Sequence, residues 1–518
     1  MQKYRILWAD DEIDLLKPHI LFLEGKGYNI TPVNSGADAL EEIDHQYFDL
    51  VFLDEHMPGM SGLETLNYIK STHPNLPVVM ITKNEEEAIM EEAIGSKIAD
   101  YLIKPVNPNQ ILLSAKKILD NKRLISDKTN QSYQREFREL SMLLGDVDDH
   151  SGWADLYKKL IYWDIEIANS EDRSMQEVLT MQWVEANRHF VDFVKENYQR
   201  WIQEPNEPRP MLSHRVLQKK VFPQLGTVPV FLIVIDNLRY DQWEVLEPDI
   251  AEFFAIDEQD YYYSILPTTT SYARNALFAG LLPLDISKRD HEYWVGEDID
   301  DEGRNNFEHE LLNRNLDRSG IHVKTTYRKI LQVNEGRQVT EHLSDLLQNP
   351  FNVLVYNFVD MLSHARTDMR MIQELAPDER AYRSLTKSWF QHSSLYDTLK
   401  ILSENNVKVM ITTDHGTIRV KNAIKIIGDR NTNTNLRYKQ GKNLAVDTLQ
   451  VFHVSRPELI GLPKVNVSTS FAFTCSNDFF AYPNNFNQYV RHYKDTFQHG
   501  GISMEEMIVP FITLSSRG

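Results

Sequence analysis

Short apolar runs of strand length recur along this chain, and several of them end on an acidic residue or a threonine. Four such runs lie within the first 105 residues and three more lie after residue 228, with amphipathic stretches between them. This alternation predicts an α/β multidomain protein with parallel sheets covered by helices. Ligand sites in such sheets lie beyond the carboxyl ends of the strands, so the pattern also predicts two acid-rich sites.

Length and composition limit the classes of protein that remain. A chain of 518 residues with 42% apolar content suits roughly two to four globular domains. The net charge of −20 would repel a nucleic-acid backbone, so direct sequence-specific DNA binding is not expected. The single cysteine, Cys475, cannot form an intramolecular disulfide. We interpret it as a small buried residue rather than a nucleophile.

The apolar runs also bear on location. No run approaches the roughly 20 residues that span a bilayer. The first run meets Asp10 and Asp11 too early to form the apolar part of an export signal. We therefore expect a soluble cytoplasmic protein.

The first 105 residues carry chemically active side chains where predicted strands end. These residues are Asp10, Asp11, Asp54, Thr82 and Lys104. The strand ends should bring them to one pocket at the sheet edge. Three carboxylates in one pocket are suitable ligands for a hard divalent cation, and Mg²⁺ fits this set best.

This segment resembles response-regulator receiver domains, which have a flavodoxin-like fold. The resemblance rests on these residues, the motif from Asp54 to Gly62, and the ending Tyr101-Leu102-Ile103-Lys104-Pro105. It implies that Asp54 takes a phosphoryl group from a sensor histidine kinase and that Asp10, Asp11 and Asp54 hold Mg²⁺. The switch residues would be Thr82, Tyr101 and Lys104. A phosphorylated aspartate adds charge and acceptor oxygens that a nearby hydroxyl and ammonium can follow. The alternative is a domain that kept the fold without the chemistry.

After Pro108 the spacing of apolar residues becomes helical, which predicts that the last receiver helix continues past the domain. Helical spacing persists to about residue 203, with breaks near residues 146–152 and 170–173, and predicts a bundle of about three helices. We interpret its aromatic stripes as core. The proline-rich run 204–210 marks a linker. The predicted domains are 1–120, the receiver; 121–205, the helical bundle; and 206–518, an α/β domain.

The third domain contains the strongest candidates for metal ligands. Three predicted strands end on or just before Asp236, Asp360 and Asp414. The second of these strands is predicted to extend over residues 353–359. Three histidines complete the set: His364, His415 and His499. Asp and His suit zinc or a similar metal in a catalytic site, and six of them are too many for one tetrahedral ion. Two ions roughly 4 Å apart would fit, and they favour in-line displacement at phosphorus.

A threonine-rich run follows Pro267 and supplies a candidate nucleophile. A helical pattern over residues 273–279 comes next, so Thr268 to Ser271 should lie at a helix N-terminus. Backbone N–H groups there favour an anionic phosphate. Ordinary N-capping by these hydroxyls is the alternative interpretation.

Together these features resemble the PglZ branch of the alkaline phosphatase superfamily. The resemblance implies one zinc ion held by Asp236, Thr270, Asp414 and His415, and a second held by Asp360, His364 and His499. Thr270 would be the nucleophile, because it is the last threonine of a Pro-Thr-x-Thr pattern typical of the superfamily's diesterases. Its neighbours Thr269 and Ser271 are the positions most easily confused with it.

The same resemblance implies a phosphothreonine intermediate and favours phosphodiesters, of a nucleotide or oligonucleotide, over monoesters. A sulfatase is not expected, because the nucleophile position is threonine and no Cys-x-Pro-x-Arg segment exists. Candidates for binding the substrate phosphate are Asn237 and Arg274. An exposed surface arginine is the alternative interpretation of Arg274.

The order of receiver, helical bundle and PglZ domain resembles response regulators associated with type IX protein secretion. That resemblance implies secretion-motor components or a sigma factor as partners. We further expect phosphorylated Asp54 to stabilise a homodimer and so to change access to the zinc site. The alternative function is a phosphorylation-switched signalling adaptor whose metal site is structural.

Overall fold

The computed structural model describes residues 4–74, 76–83, 98–170, 175–204, 208–294, 305–429, 432–484 and 486–517. Contacts divide these residues into two compact units, one drawn from Met1–Gln134 and Asn169–Ser174 and the other from Arg135–Ala168 and Met175–Gly518. No helix in the described ranges combines the length and apolarity that a membrane span requires.

The first unit contains a five-stranded parallel sheet in the order β2-β1-β3-β4-β5. Its strands are β1 Arg5–Ala9, β2 Asn29–Val33, β3 Leu50–Asp54, β4 Val78–Thr82 and β5 Asp100–Ile103. The helices of this part of the chain are α1 Lys17–Gly25, α2 Gly36–His45, α3 Gly62–Thr72 and the start of α4 Pro108–Asp146. The predicted parallel sheet is confirmed, but β2 was not among the four predicted apolar runs, because threonine and proline interrupt its apolar residues.

Side chains alternate between the two faces of this sheet, so each face has its own core. From β1, Ile6 and Trp8 pack in one cluster with Ile111, while Leu7 packs in the other with Leu66. A Cβ at Gly62 would clash with the Asp54 carbonyl oxygen. Glycine therefore allows α3 to begin against the end of β3, close to the acidic cluster.

The helical bundle of the second unit consists of the end of α4, α5 His150–Asn169 and α6 Gln176–Gln203. As predicted, α4 continues beyond the receiver. The predicted packing of aromatic residues in the core of the bundle is also observed, since the buried Trp153 of α5 packs on Phe190 of α6 with ring centroids 5.6 Å apart. The predicted break at 170–173 and the predicted linker at 204–210 fall partly on residues 171–174 and 205–207, which lie outside the described ranges.

The rest of the second unit is built on a six-stranded mixed sheet in the order β7-β18-β10-β6-β9-β8. Its strands are β6 Val230–Ile235, β7 Phe254–Tyr263, β8 Thr325–Ile330, β9 Phe351–Tyr356, β10 Lys408–Thr412 and β18 Ile508–Ser516. The four neighbouring strands β10, β6, β9 and β8 are parallel, and β18 pairs antiparallel with β10 and β7. The prediction of a parallel sheet is therefore wrong for β18 and β7, because apolar runs of strand length do not reveal strand direction. Strands β6 and β9 are wholly buried, as expected for a sheet with helices on both faces.

Shorter elements surround this sheet. The remaining strands are β11 Ile418–Arg419, β12 Asn422–Lys425, β13 Tyr438–Lys442, β14 Phe452–Val454, β15 Thr469–Phe473, β16 Asp478–Ala481 and β17 Phe497–Gln498. The helices are α7 Tyr240–Ala251, α8 Asn275–Ala279, α9 Pro283–Arg289, α10 Glu308–Arg318, α11 Val333–Glu341, α12 Leu343–Leu346, α13 Phe358–Asp368, α14 Arg370–Leu375, α15 Glu379–Gln391, α16 Ser394–Ser403, α17 Phe486–Tyr493 and α18 Met504–Met507.

One predicted boundary is wrong. The strand expected over residues 353–359 ends at Tyr356, and α13 begins at Phe358. Asp360 therefore lies in the first turn of a helix instead of at a strand end, with His364 one turn later. The whole run is apolar, so the sequence does not show where the strand gives way to the helix.

Candidate metal centres

The first group of ligand-type residues, which we call the first triad, consists of Asp236, Asp414 and His415. Asp236 directly follows β6, and the other two follow the neighbouring parallel strand β10. All three side chains are fully buried, and one potential ligand atom from each lies within 4.8 Å of the others. The strand ends thus bring together residues that are far apart in sequence.

The second triad consists of Asp360, His364 and His499, whose potential ligand atoms also lie within 4.8 Å of one another. Asp360 Oδ2 is 3.5 Å from His364 Nε2, and Asp360 Oδ1 is 3.7 Å from His499 Nε2. Asp360 and His364 share a face of α13 because they are one helical turn apart. The rings of His499 and His415 stack with centroids 4.4 Å apart, so the two triads form one site.

Two of the histidines are held in the orientation that a metal ligand needs. His415 Nδ1 lies 3.1 Å from the Gly416 carbonyl oxygen, and His499 Nδ1 lies 3.2 Å from that of Thr268. A ring N–H donating there leaves Nε2 free with its lone pair toward the triads. Burial, reinforced by His415 and His364, holds the pKa of His499 well below its usual value. His499 is therefore neutral, as metal binding requires.

Arg274 lies behind the first triad, and the interpretation of it as an exposed residue is wrong. It is fully buried, with Nε 3.0 Å from Asp414 Oδ2 and a terminal nitrogen donating to Asp236 Oδ2. Glu308 Oε1, also buried, lies 3.5 Å from the same Nε. Three carboxylates thus surround one guanidinium. The guanidinium of Arg274 binds the ligand carboxylates Asp414 and Asp236. We had expected it to face the substrate phosphate instead.

The two carboxylates of the first triad differ in their electrostatics. Burial raises the pKa of Asp236 well above its usual value, although Arg274 opposes this. Burial also acts on Asp414, but His415 and Arg274 together hold its pKa below the usual range. Asp414 therefore offers a carboxylate that is held toward its ionised form, with Oδ2 3.6 Å from His415 Nε2.

Thr270 begins a π-helical turn, Thr270–Arg274, which leads into α8. Its Oγ1 lies 3.1 Å from His415 Nε2 and 3.4 Å from Asp236 Oδ1. The neighbouring hydroxyls face elsewhere, because Thr269 and Ser271 pair with each other at 3.3 Å. Of these three candidates, the structure brings Thr270 to the first triad.

Asn237 links the two triads. Its backbone N–H donates to Asp414 Oδ1 at 3.4 Å, and its side-chain amide donates to Asp360 Oδ1 at 3.3 Å. Its φ of 64° lies in the left-handed region, which asparagine tolerates better than most residues. The predicted substrate-binding residue therefore contacts ligand carboxylates of both triads.

Sequence reasoning missed three supporting residues. Glu308 faces Arg274, Asn305 donates to the Thr270 carbonyl oxygen at 2.9 Å, and the Thr268 carbonyl orients His499. Glu308 lies in the first turn of α10, where an acid is ordinary compensation for the helix dipole. No local signal distinguishes these residues, because each contact joins distant parts of the chain.

The donor sets fit the metals that the sequence implied. Each triad offers oxygen and imidazole nitrogen ligands without sulfur, which suits zinc or a comparable metal in a catalytic site. The tautomers inferred for His415 and His499, with the proton on Nδ1, also agree with this assignment. Asp236, Asp414 and His415 would hold one ion, with the Thr270 hydroxyl beside them, and Asp360, His364 and His499 would hold the other.

The receiver contains a third acidic group, formed by Asp10, Asp11 and Asp54, with potential ligand atoms within 4.8 Å of one another. Lys104 Nζ lies 2.8 Å from Asp10 Oδ2 and 3.1 Å from Asp54 Oδ2. Asp54 Oδ1 is buried and accepts no hydrogen bond from any described residue. An all-oxygen set with a free buried oxygen fits Mg²⁺.

Electrostatics and neighbouring residues agree with a reactive Asp54. Burial, with the charge of Asp10, raises the pKa of Asp54, while Lys104 lowers it. The carboxylates Asp10 and Asp54 raise the pKa of Lys104 against the effect of its burial. Thr82 is buried at the end of β4, and Tyr101 is half-buried in the adjacent β5. The predicted switch residues thus lie on neighbouring strands.

Known family models match three parts of this chain. Residues 216–514 match the BREX system PglZ alkaline phosphatase-like domain. Residues 123–202 match the PorX response regulator linker domain, and residues 6–116 match the response regulator receiver domain. The PglZ match covers more than half of the chain, which therefore belongs to the PglZ alkaline phosphatase-like family. With its receiver and linker domains, it has the architecture of a PorX-like response regulator.

Individual relatives match the receiver segment. The transcriptional regulatory protein ZraR of Klebsiella oxytoca is 34% identical over 132 residues, 26% of this chain and 30% of that protein. The alginate biosynthesis regulator AlgB of Pseudomonas putida is 36% identical over 120 residues, 23% of this chain and 27% of that protein. The chain thus spans less than a third of the length of these relatives.

Solved structures match over the same segment. A CheY-like receiver domain from Methanospirillum hungatei is 28% identical, with a TM-score of 0.23, and the match covers 23% of this chain and 96% of that one. The NtrX receiver domain of Brucella abortus is 32% identical, with a TM-score of 0.21, over 22% of this chain and 98% of that one.

Proposed function

We propose that the chain is a two-component response regulator whose output domain is a zinc-dependent phosphodiesterase with Thr270 as its nucleophile. One observation carries the proposal: the Thr270 hydroxyl lies 3.1 Å from His415 Nε2, within the first triad, and the second triad adjoins it through the stacked His415 and His499 rings. A hydroxyl beside one of two adjoining metal-ligand sets supports in-line displacement at phosphorus, in which one ion activates the attacking oxygen and the other stabilises the leaving oxygen.

In the proposed reaction, the Thr270 hydroxyl gives its proton to water as its oxygen forms a bond to phosphorus. The ester oxygen of the leaving group departs with the bonding electron pair and takes a proton from water. Water then cleaves the threonine–phosphate ester and restores the hydroxyl. The bound metals would supply charge neutralisation and lower the pKa of the attacking hydroxyl. Arg274 and Asn237 would hold the ligand carboxylates in place, and Asn305 would fix the Thr270 backbone.

Phosphorylation of Asp54 by a sensor histidine kinase, with Mg²⁺ in the acidic group, would be the controlling input. The domain order supports a role in type IX protein secretion, with secretion-motor components or a sigma factor as partners and a homodimer as the phosphorylated form. Asp54→Asn should abolish incorporation of label from a phosphodonor, while Asp38→Asn, an exposed aspartate of the same domain, should incorporate it normally. Labelling of Asp54→Asn would refute this assignment.

The enzyme itself is tested with bis-p-nitrophenyl phosphate against p-nitrophenyl phosphate, using zinc-loaded protein of measured metal content. Thr270→Ala should reduce diester turnover by roughly 10³-fold or more, because it removes the nucleophile. Ser271→Ala is the matched control, since its hydroxyl pairs with Thr269 and should be dispensable.

Two outcomes would change the assignment. If Ser271→Ala were as inactive as Thr270→Ala, the nucleophile would be wrong. If metal-loaded wild type failed to turn over either ester in both phosphorylation states, the phosphorylation-switched adaptor with a structural metal site would replace the enzyme.

A further inference from the structure

Two polar side chains of the helical bundle form hydrogen bonds with the α/β domain that contains the metal-ligand triads. Asp164 of α5 accepts a hydrogen bond from Arg383 at 2.6 Å, and Asn187 of α6 accepts one from the Met504 backbone at 2.9 Å. We propose that Asp164 and Asn187 are positioning residues of the two-metal centre. Through them, the helical bundle would help to hold the metal ligands in their orientation. This inference rests on the proposed two-metal enzyme.

The first contact begins a chain of buried ion pairs. Arg383 NH1 also lies 3.0 Å from Asp241 Oδ2, and Asp241 is held by both Nε and NH2 of Arg239, at 2.8 and 2.6 Å. The side chains of Arg383, Asp241 and Arg239 are 6%, 8% and 3% exposed. Charged hydrogen bonds between buried groups are short and directional, so each partner fixes the next.

This chain ends beside the first triad. Arg239 lies three residues after Asp236, in the short connection between β6 and α7. The backbone N–H groups of Asn237 and Leu238 in the same connection donate to Asp414 Oδ1 and Thr413 Oγ1, at 3.4 and 3.0 Å. A shift of Arg239 would therefore move the loop that orients both carboxylates of the first triad.

The same arginine also reaches the second triad. Its guanidinium lies over the ring of Phe497, 5.4 Å from the centroid, and Tyr382 stacks on Phe497 with centroids 4.1 Å apart. Phe497 belongs to β17, which ends one residue before His499. Tyr382 is adjacent to Arg383 in α15. The contact that Asp164 makes thus supports a ligand in each triad.

Asn187 supports the site by a separate route. Its amide donates to both carboxylate oxygens of Glu505, at 3.1 and 3.0 Å, in addition to accepting from Met504. The backbone carbonyl of the next residue, Glu506, accepts a hydrogen bond at 3.1 Å from the N–H of Gly416, which directly follows His415. A Cβ at Gly416 would clash with the Glu505 carbonyl oxygen. Because these backbones touch, displacement of α18 would be transmitted to His415.

The expected effects are moderate because neither side chain contacts a ligand directly. Removing an outer-shell partner of a ligand typically weakens metal binding by roughly 10- to 100-fold. Asp164 and Asn187 act one or more contacts further away, so we expect about 3- to 10-fold weaker binding for either single variant, the range of couplings carried through packed networks.

The test measures metal affinity in Asp164→Asn and Asn187→Ala with a competing chelator, together with the visible spectrum of the cobalt-substituted protein. Both variants should bind metal about 3- to 10-fold more weakly, show a changed cobalt spectrum, and lose kcat with KM unchanged. Asp155→Asn and Glu196→Gln are matched controls, exposed residues of the same two helices, and should match wild type. Urea unfolding identifies any variant that is generally destabilised.

A double-mutant cycle separates the proposed path from a general loss of stability. Asp164→Asn combined with Arg383→Gln should bind metal no more weakly than Arg383→Gln alone, because both act through one contact. Additive losses in the cycle would overturn the path through Arg383.

Failure of the inference can be told from failure of the enzyme. Wild-type spectra and affinities in Asp164→Asn and Asn187→Ala, with an active two-metal wild type, would overturn the inference alone. A wild type that binds two metal ions without turning over a diester would overturn the proposed reaction but leave the affinity test standing. A wild type that binds no metal would overturn both.

Discussion

The receiver and the catalytic domain both place a cation between two buried aspartates at a sheet edge, but they use different cations. In the receiver, Lys104 bridges Asp10 and Asp54, and its side chain is 13% exposed. In the catalytic domain, Arg274 bridges Asp236 and Asp414 and has no exposed surface. The same principle of strand-end assembly thus leaves the bridging cation partly exposed in one domain and fully buried in the other.

The difference follows from what each cation has to do. A lysine ammonium is a compact charge on a flexible chain, and it can follow a phosphoryl group added to Asp54. An arginine guanidinium is planar and offers several donors in a fixed arrangement, so it holds two carboxylates in one orientation. The proposed function requires the receiver to change state and the first triad to remain in place.

The largest expected contrast comes from removing each cation. In metal-free protein, Arg274→Gln removes the guanidinium that three buried carboxylates share and should cost about 3–5 kcal/mol of unfolding free energy. Lys104→Gln should cost only about 1 kcal/mol, because water reaches the acidic group through the exposed Asp11. Urea unfolding, with the transition of each domain followed separately, measures both. Equal losses would remove the distinction between a partly exposed and a fully buried bridging cation.

Metal addition should separate the two sites by ligand chemistry. After chelator treatment, Zn²⁺ should stabilise the catalytic domain by about 2.7 kcal/mol at a free concentration 100 times its Kd. Mg²⁺ should stabilise the receiver alone, because it prefers an all-oxygen set. Thermal unfolding of wild type, His499→Ala and Asp54→Asn assigns each effect. Stabilisation of the catalytic domain by Mg²⁺ would argue against the zinc assignment.

The smallest expected effect is the change in stability when one aspartate of each site is replaced by asparagine. We expect this change to have opposite signs in the two sites. The folded pKa of Asp54 is raised above 3.8 by burial and Asp10, so receiver stability falls as pH rises from 3.8 through that folded value. Without Mg²⁺ at neutral pH, Asp54→Asn should therefore stabilise the receiver by about 0.5–2 kcal/mol. The gain should disappear below the unfolded pKa.

The corresponding change in the catalytic domain should act in the opposite direction. The pKa of Asp414 is held below 3.8 by His415 and Arg274 against the effect of burial, so its ionised form contributes stability above that value. Asp414→Asn should destabilise the catalytic domain at neutral pH. Destabilisation by Asp54→Asn, or stabilisation by Asp414→Asn, in urea unfolding would contradict the electrostatic contrast.

Much of the fold was predictable from periodicity. The strands that end at Asp54, Thr82 and Asp236 are uniformly apolar and of ordinary length, and they were predicted to within a residue or so. The boundary before Asp360 was not, because a helix begins inside an apolar run. Local patterns specify which elements form, whereas an element's ends depend on the contacts at its termini.

The types of ligand residue could also be predicted from the sequence, since acids and histidines after apolar strands are chemically distinctive. The role of Arg274 could not be predicted. Its burial depends on the π-helical turn and on Glu308, which lies 34 residues later in the chain. An arginine near a nucleophile looks the same in sequence whether it faces solvent, a substrate or a carboxylate.

The sequence by itself determined the α/β character of the two outer domains, the helical bundle and the residue types at the strand ends, because side-chain periodicity and strand length are local properties. Only the tertiary structure decided that Thr270, and not Thr269 or Ser271, faces the first triad. It also decided that Asn237 spans both triads and that Asp164 pairs with Arg383. These relations depend on how distant segments pack, and side-chain direction at a packed contact is fixed by neighbours that local sequence does not contain.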